Sequence, residues 1–142
     1  MTSRTSEKAF EDSIEKHLLE SHKYLKVESS DYDAERGIFP SEVLTFIQNT
    51  QMAQWEKVYK QYGMKASQAI FDDLTANLNS VGALVVLRHG FKCLGRIFKM
   101  AYFAPANSMN EETQKLYGLN RFGVCRQLHY SKLIKNSHHK KW

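Results

Sequence analysis

Cysteine and proline are scarce, two of each in 142 residues. Two thiols make no disulfide framework, so both are expected reduced and cohesion must come from a packed core. With only seven glycines beside the two prolines, collagen-like and linker compositions are excluded. No stretch approaches the roughly 18 consecutive apolar residues that a membrane helix needs, so no membrane partner is expected. The opening Met1-Thr2-Ser3-Arg4-Thr5-Ser6-Glu7-Lys8 has neither an apolar core nor a small-residue cleavage site, which makes the cytoplasm the expected location. What is present suffices for a folded domain: 42% of residues are hydrophobic and 12% aromatic.

Acid is missing from one end. Residues 1–80 hold nine Lys/Arg against thirteen Asp/Glu, a balance of −4, whereas residues 81–142 hold eleven against two, a balance of +9. So basic a half favours an anionic partner, nucleic acid first, because cations there gain affinity by releasing condensed counterions. The plainer reading is a charged surface that serves solubility.

Helical periodicity fills the first half. Phe10, Ile14 and Leu18 recur every fourth residue, with Ser6 or Thr5 as cap, and predict a helix to about Ser21. The acidic stretch from Glu28 to Gly37 reads as a loop. Pro40 opens a second helix with Val43, Leu44 and Ile47. Trp55, Val58, Tyr59 and Tyr62 form a third, stopped by Gly63, and Ile70, Leu74, Leu78 and Val81 a fourth, followed by Gly82. Ala83–Leu87 is ambiguous between helix and strand. Arg96–Phe103 is rich in β-branched and aromatic residues and predicts a strand. Asn110 caps a short helix ended by Gly118. Alternation from Phe122 to Tyr130 then predicts a second strand. Helices followed by strands give an α+β fold. Two strands are marginal as a sheet, so the fold is expected to be incomplete. The tail from residue 132 to 142 is polar and basic, with neither period, and is expected to be disordered.

Chemistry-bearing patterns are few. Gly90-Phe91-Lys92-Cys93-Leu94-Gly95-Arg96-Ile97 has the glycine spacing of a phosphate loop, yet carries Arg and Ile where the chemistry demands Lys and Ser or Thr, and reads as a turn into a strand. His89 with Cys93, and Cys125 with His129, invite a zinc site. On one strand face, however, Cys125 and His129 would stand roughly 13 Å apart, and buried thiols are the better account. His138 and His139 belong to a solvated tail. No Gly-x-Ser-x-Gly turn is present. Glu7, Glu11 and Glu15 line one helix face, with Glu11 nearest the apolar stripe. The densest basic constellation is Arg88, His89, Lys92, Arg96 and Lys99, joined by Arg121 and Arg126, interleaved with Phe91, Phe98 and Tyr102 as a backbone-tracking surface requires. Arg126 shares its face with Val124 and Leu128, so it is also a candidate for an inward, paired guanidinium.

Six segments occur in an order with a precedent. Ala9-Phe10-Glu11, Asp31-Tyr32-Asp33, Leu87-Arg88-His89-Gly90, Ala101-Tyr102-Phe103-Ala104-Pro105-Ala106, Asn120-Arg121 and Arg126-Gln127-Leu128-His129-Tyr130-Ser131 together resemble the N-terminal domain of the R subunit (HsdR) of type I restriction enzymes. The resemblance covers about residues 8 to 131. It implies a partial endonuclease domain over 1–131, of the restriction-endonuclease-like PD-(D/E)xK kind, within a DNA-translocating subunit that cuts unmodified foreign DNA. The implied cofactors are Mg2+ and ATP; the implied partners are DNA and the methylation and specificity subunits.

The same resemblance predicts an inert fragment. Such nucleases hold magnesium with an Asp and the acid of a Glu-x-Lys pair, on strands that follow the Arg126–Ser131 segment. No Asp or Glu occurs after Glu112, and only Glu11 carries over as a metal-binding acid. The expectation is a truncated reading frame, inactive alone, with no metal or nucleotide bound. The alternative is a small, non-catalytic basic nucleic-acid-binding protein.

Overall fold

The computed structural model describes residues 2–128, which fall into two compact units, one from residues 2–34 and 121–128 and the other from Glu35–Asn120. Helices and small sheets are both present, an α+β composition.

The first unit opens with helix α1, Thr2–Ser21, followed by strand β1, Leu25–Lys26, and a 3-10 turn at Ser29–Asp31. Helix α1 begins before the expected caps Ser6 and Thr5 and ends where the periodicity ends. The unit is completed from the other end of the sequence by strand β4, Gly123–Val124, which pairs with β1 in parallel. Leu25 N–H donates to the Phe122 carbonyl at 2.8 Å and Val27 N–H to that of Val124 at 3.0 Å. The Tyr24 and Phe122 rings stack at 5.5 Å. A Cβ at Gly123 would stand 2.7 Å from Val27 Cγ2, so glycine is what lets the strands approach.

The alternation from Phe122 to Tyr130 overstates this strand. Its partner β1 is only two residues long, and Gln127 is left-handed at φ 51°, which breaks the pleat before Leu128. His129 and Tyr130 lie outside the described residues, as does the tail.

The second unit contains helices α2 (Pro40–Thr50), α3 (Met52–Tyr62), α4 (Ala66–Val81) and α5 (Ala83–His89), a hairpin of β2 (Phe91–Cys93) and β3 (Arg96–Phe98), and helix α6 (Glu111–Gly118). Pro40 occupies the first turn of α2, and left-handed Gly63 and Gly82 follow α3 and α4, as read from the sequence. Asn110 caps α6 through its side-chain oxygen, which accepts from the Thr113 N–H at 3.0 Å. The ambiguous Ala83–Leu87 run is helical. Buried Val43, Ile47, Trp55, Val58, Ile70, Leu74 and Val86 form the helical side of the core, and Phe91, Cys93 and Phe98 the hairpin side. The Phe91 and Phe98 rings stack at 5.8 Å.

The segment read as a turn into a strand is itself a hairpin. Leu94 and Gly95, at φ 53° and 75°, form a two-residue loop whose positive dihedrals match the strand twist. At Gly90, φ is 76° and a Cβ would lie 2.3 Å from the Phe98 carbonyl oxygen, so only glycine fits.

The expected strand from Arg96 to Phe103 stops at Phe98, because no neighbouring strand meets the next residues. Side-chain carboxamides meet them instead. Gln51 accepts from the Lys99 N–H at 2.7 Å and donates to the Lys99 carbonyl at 2.9 Å. Asn120 accepts from the Tyr102 N–H at 2.9 Å and donates to its carbonyl at 2.6 Å. Each amide imitates one rung of a ladder.

Two substitutions test this construction in urea. Gln51→Ala removes both bonds to Lys99 and leaves its backbone groups unmet, for an expected loss of about 2–3 kcal/mol. Gly90→Ala combines a left-handed backbone with overlap, for at least about 2 kcal/mol.

Candidate nucleic-acid interface

In the second unit the cations gather on the hairpin and the helix before it. Arg88 and His89 are exposed in the last turn of α5, where the carbonyl end of the helix dipole favours positive charge. Strand alternation sends Phe91 and Cys93 inward, so Lys92 points outward, opposite exposed Ile97 on β3. Lys99, two residues beyond Ile97, is half-buried and fixed by Gln51 through its backbone. Arg96 is half-buried and reaches the Leu94 carbonyl at 3.5 Å. Among the described residues, no carboxylate lies within ion-pair distance of Arg88, Lys92, Arg96 or Lys99.

Lys99 also lines an open groove of about 500 Å³ with Thr50, Gln51, Met52, Gln54, Ile97 and Tyr102. The Tyr102 ring also packs against that of Phe46, with centroids 6.0 Å apart. Burial pushes the Tyr102 hydroxyl above its usual range, and a hydrogen bond with Thr50 partly offsets this. Neither Gln51 nor this groove could be read from the sequence, because a single Gln between two helical patterns carries no periodic signal.

The first unit treats its cations differently. Arg121 is half-buried and engaged. Arg126 lies against α1, donating through Nη2 to Glu11 Oε2 at 2.9 Å and through Nη1 to Asp12, with Glu15 Oε2 3.5 Å from its Nε. Glu11 and then Asp12 hold the guanidinium pKa above its ordinary value against a smaller opposing effect of desolvation. Gln127 Nε2 adds a donor to Glu11 Oε2 at 3.3 Å, and Lys26 stands 3.4 Å from Glu15. The structure thus brings Glu11 and Arg126 together as an ion pair, so the guanidinium is paired, though on a half-buried bend and not on an inward strand face. The residues around Glu11 do not fit a magnesium ion, since the neighbouring carboxylates already face cations. No group of three or more His, Cys, Asp or Glu able to hold a metal occurs among the described residues.

His89 and Cys93 share no site: His89 is exposed, whereas Cys93 is buried in the core. Burial first, then Asp73, pushes its thiol up to about 12. No single helix among the described residues is long and apolar enough to cross a membrane. Comparison with family models, curated proteins and solved structures gave no match to this chain.

Two outcomes are expected. The raised Cys93 thiol contributes stability that is complete below the unfolded value near 9.0 and is lost as pH rises toward about 12. The wild type should therefore lose more stability than Cys93→Ala across that window, and at pH 8 iodoacetamide should label half-buried Cys125 before Cys93. Separately, Arg126→Ala should speed amide exchange at Leu25 and Val27, whose N–H groups bond the Phe122 and Val124 carbonyls, and Arg126→Lys should partly restore protection.

Proposed function

We propose that this chain is part of an endonuclease domain of the type I restriction R-subunit kind, and that its own contribution is to hold the DNA backbone, without cutting it. The observation that carries the binding reading is the outer face of the β2–β3 hairpin, where Lys92 and Lys99 flank Ile97 and, among the described residues, no carboxylate opposes them. Exposed Arg88 and His89 extend the same basic region. Such a surface attracts phosphates without reading sequence.

The family reading is supported by the six ordered segments and by contacts between them. Glu11 of the first segment holds Arg126 and Gln127 of the last, and Asn120 holds Tyr102. Residues that carry a resemblance and also meet one another are those that a shared architecture would retain. In this reading the methylation and specificity subunits supply the target, and the nuclease-like sheet is completed by strands bearing the magnesium-binding acids. The chain itself offers Glu11, whose carboxylate is committed to Arg126. A non-catalytic basic nucleic-acid-binding protein is the second reading. It is favoured by the second unit, which has a buried core of its own.

Binding of a labelled duplex should be weak, independent of sequence and steeply salt-dependent. Lys92→Ala with Lys99→Ala should weaken it and flatten the log-log salt slope by up to about 1.8, from roughly 0.9 per phosphate contact. A salt-insensitive titration, or no change in the double variant, means that the basic surface serves solubility. With magnesium or manganese, plasmid nicking should not exceed that of Glu11→Ala. Metal-dependent cleavage lost in that variant would overturn the non-cutting reading.

A further inference from the structure

At the end of α1 the chain reverses sharply. Lys23 takes a left-handed conformation at φ 55°, and the Tyr24 N–H returns to the Leu18 carbonyl at 3.0 Å. This reversal folds His22 back beside His17. The two Nε2 atoms stand 3.1 Å apart, and the rings meet edge-on with centroids at 4.9 Å and an interplanar angle of 72°. Both side chains are exposed, so the converging nitrogens are open to solvent and to a dissolved ion.

We propose that His17 and His22 form a two-imidazole site for a divalent transition-metal ion of the zinc, nickel or copper class. Imidazole nitrogen binds such ions at about 2.0–2.1 Å. Two such bonds to nitrogens 3.1 Å apart subtend an angle of about 95–100° at the ion, between adjacent positions of an octahedron and those of a tetrahedron. With the proton shared between the two Nε2 atoms moved through water to the Nδ1 of its own ring, both imidazoles are neutral Nδ1–H tautomers and both Nε2 lone pairs are free to bind the ion. Water completes its coordination. The carbonyl end of α1 lies beside the site, where the helix dipole favours a cation. Magnesium and calcium, which take oxygen ligands, are not served by this pair. The site is therefore independent of the magnesium chemistry of a nuclease, and its standing does not depend on how DNA is bound.

The spacing hides the site from sequence reading. Histidines five apart lie on different faces of a continuous helix, and they meet only because the helix ends at Ser21.

Isothermal titration of the full chain with Zn2+ and with Ni2+ tests the proposal, using a His138→Ala, His139→Ala background to remove the tail imidazoles. One ion per chain is expected to bind. Replacing either His17 or His22 by Ala should lower affinity roughly tenfold or more, at least the loss that removing a supporting residue of a metal site causes. Circular dichroism checks that these surface variants stay folded. Substoichiometric Cu2+ should selectively broaden the imidazole proton signals of His17 and His22. Undiminished uptake in the His17→Ala, His22→Ala double variant, or broadening that spares both rings, overturns the site.

Discussion

The second unit depends on one side chain, Gln51. It is the single residue between α2 and α3, and its backbone serves both: its N–H closes α2 on the Ile47 carbonyl at 2.7 Å and its carbonyl accepts the Trp55 N–H of α3 at 3.0 Å. Its carboxamide then takes both backbone groups of Lys99. One buried residue thus fixes a helix corner and the exit of the hairpin. The cost of burying an amide is offset because both ends of it are hydrogen-bonded. The position of Lys99 at the groove follows from this anchor, while Ile97 is set by the hairpin register and Tyr102 by Asn120.

Charge is used in two ways. Around α1, acids at positions 11, 12 and 15 collect Arg126 and Lys26, so attraction is spent on joining distant parts of the sequence. Around the hairpin, Arg88, Lys92, Arg96 and Lys99 meet no acid among the described residues. The two units thus differ in how their cations are paired as well as in net sign.

Helix ends were legible because their signals are local: Pro40, Asn110, Gly63 and Gly82 act within one turn of themselves. The pairing option for Arg126 is realised, though not through the alternation that suggested it, since β4 ends at Val124 and Gln127 is left-handed. What stayed hidden was non-local. Residues 99–103 have the composition of a strand, but composition cannot say whether the partner is another strand or the amides of Gln51 and Asn120. The β1–β4 pair is two residues deep and joins ends of the chain, which no window of sequence contains. The same limit concealed the meeting of His17 and His22.

The parallel pairing of Leu25–Lys26 with Gly123–Val124 has a consequence for synthesis. A ribosome releases β1 long before β4 exists, with all of the second unit made in between. Helix α1 therefore emerges with its acidic face unaccompanied, while Glu35–Asn120 can complete its own core. The first unit closes only once Arg126 has left the exit tunnel, and that closure spans the longest loop in the molecule. A chain ended before residue 123 and released keeps all of Glu35–Asn120 and leaves the first helix and β1 without their strand.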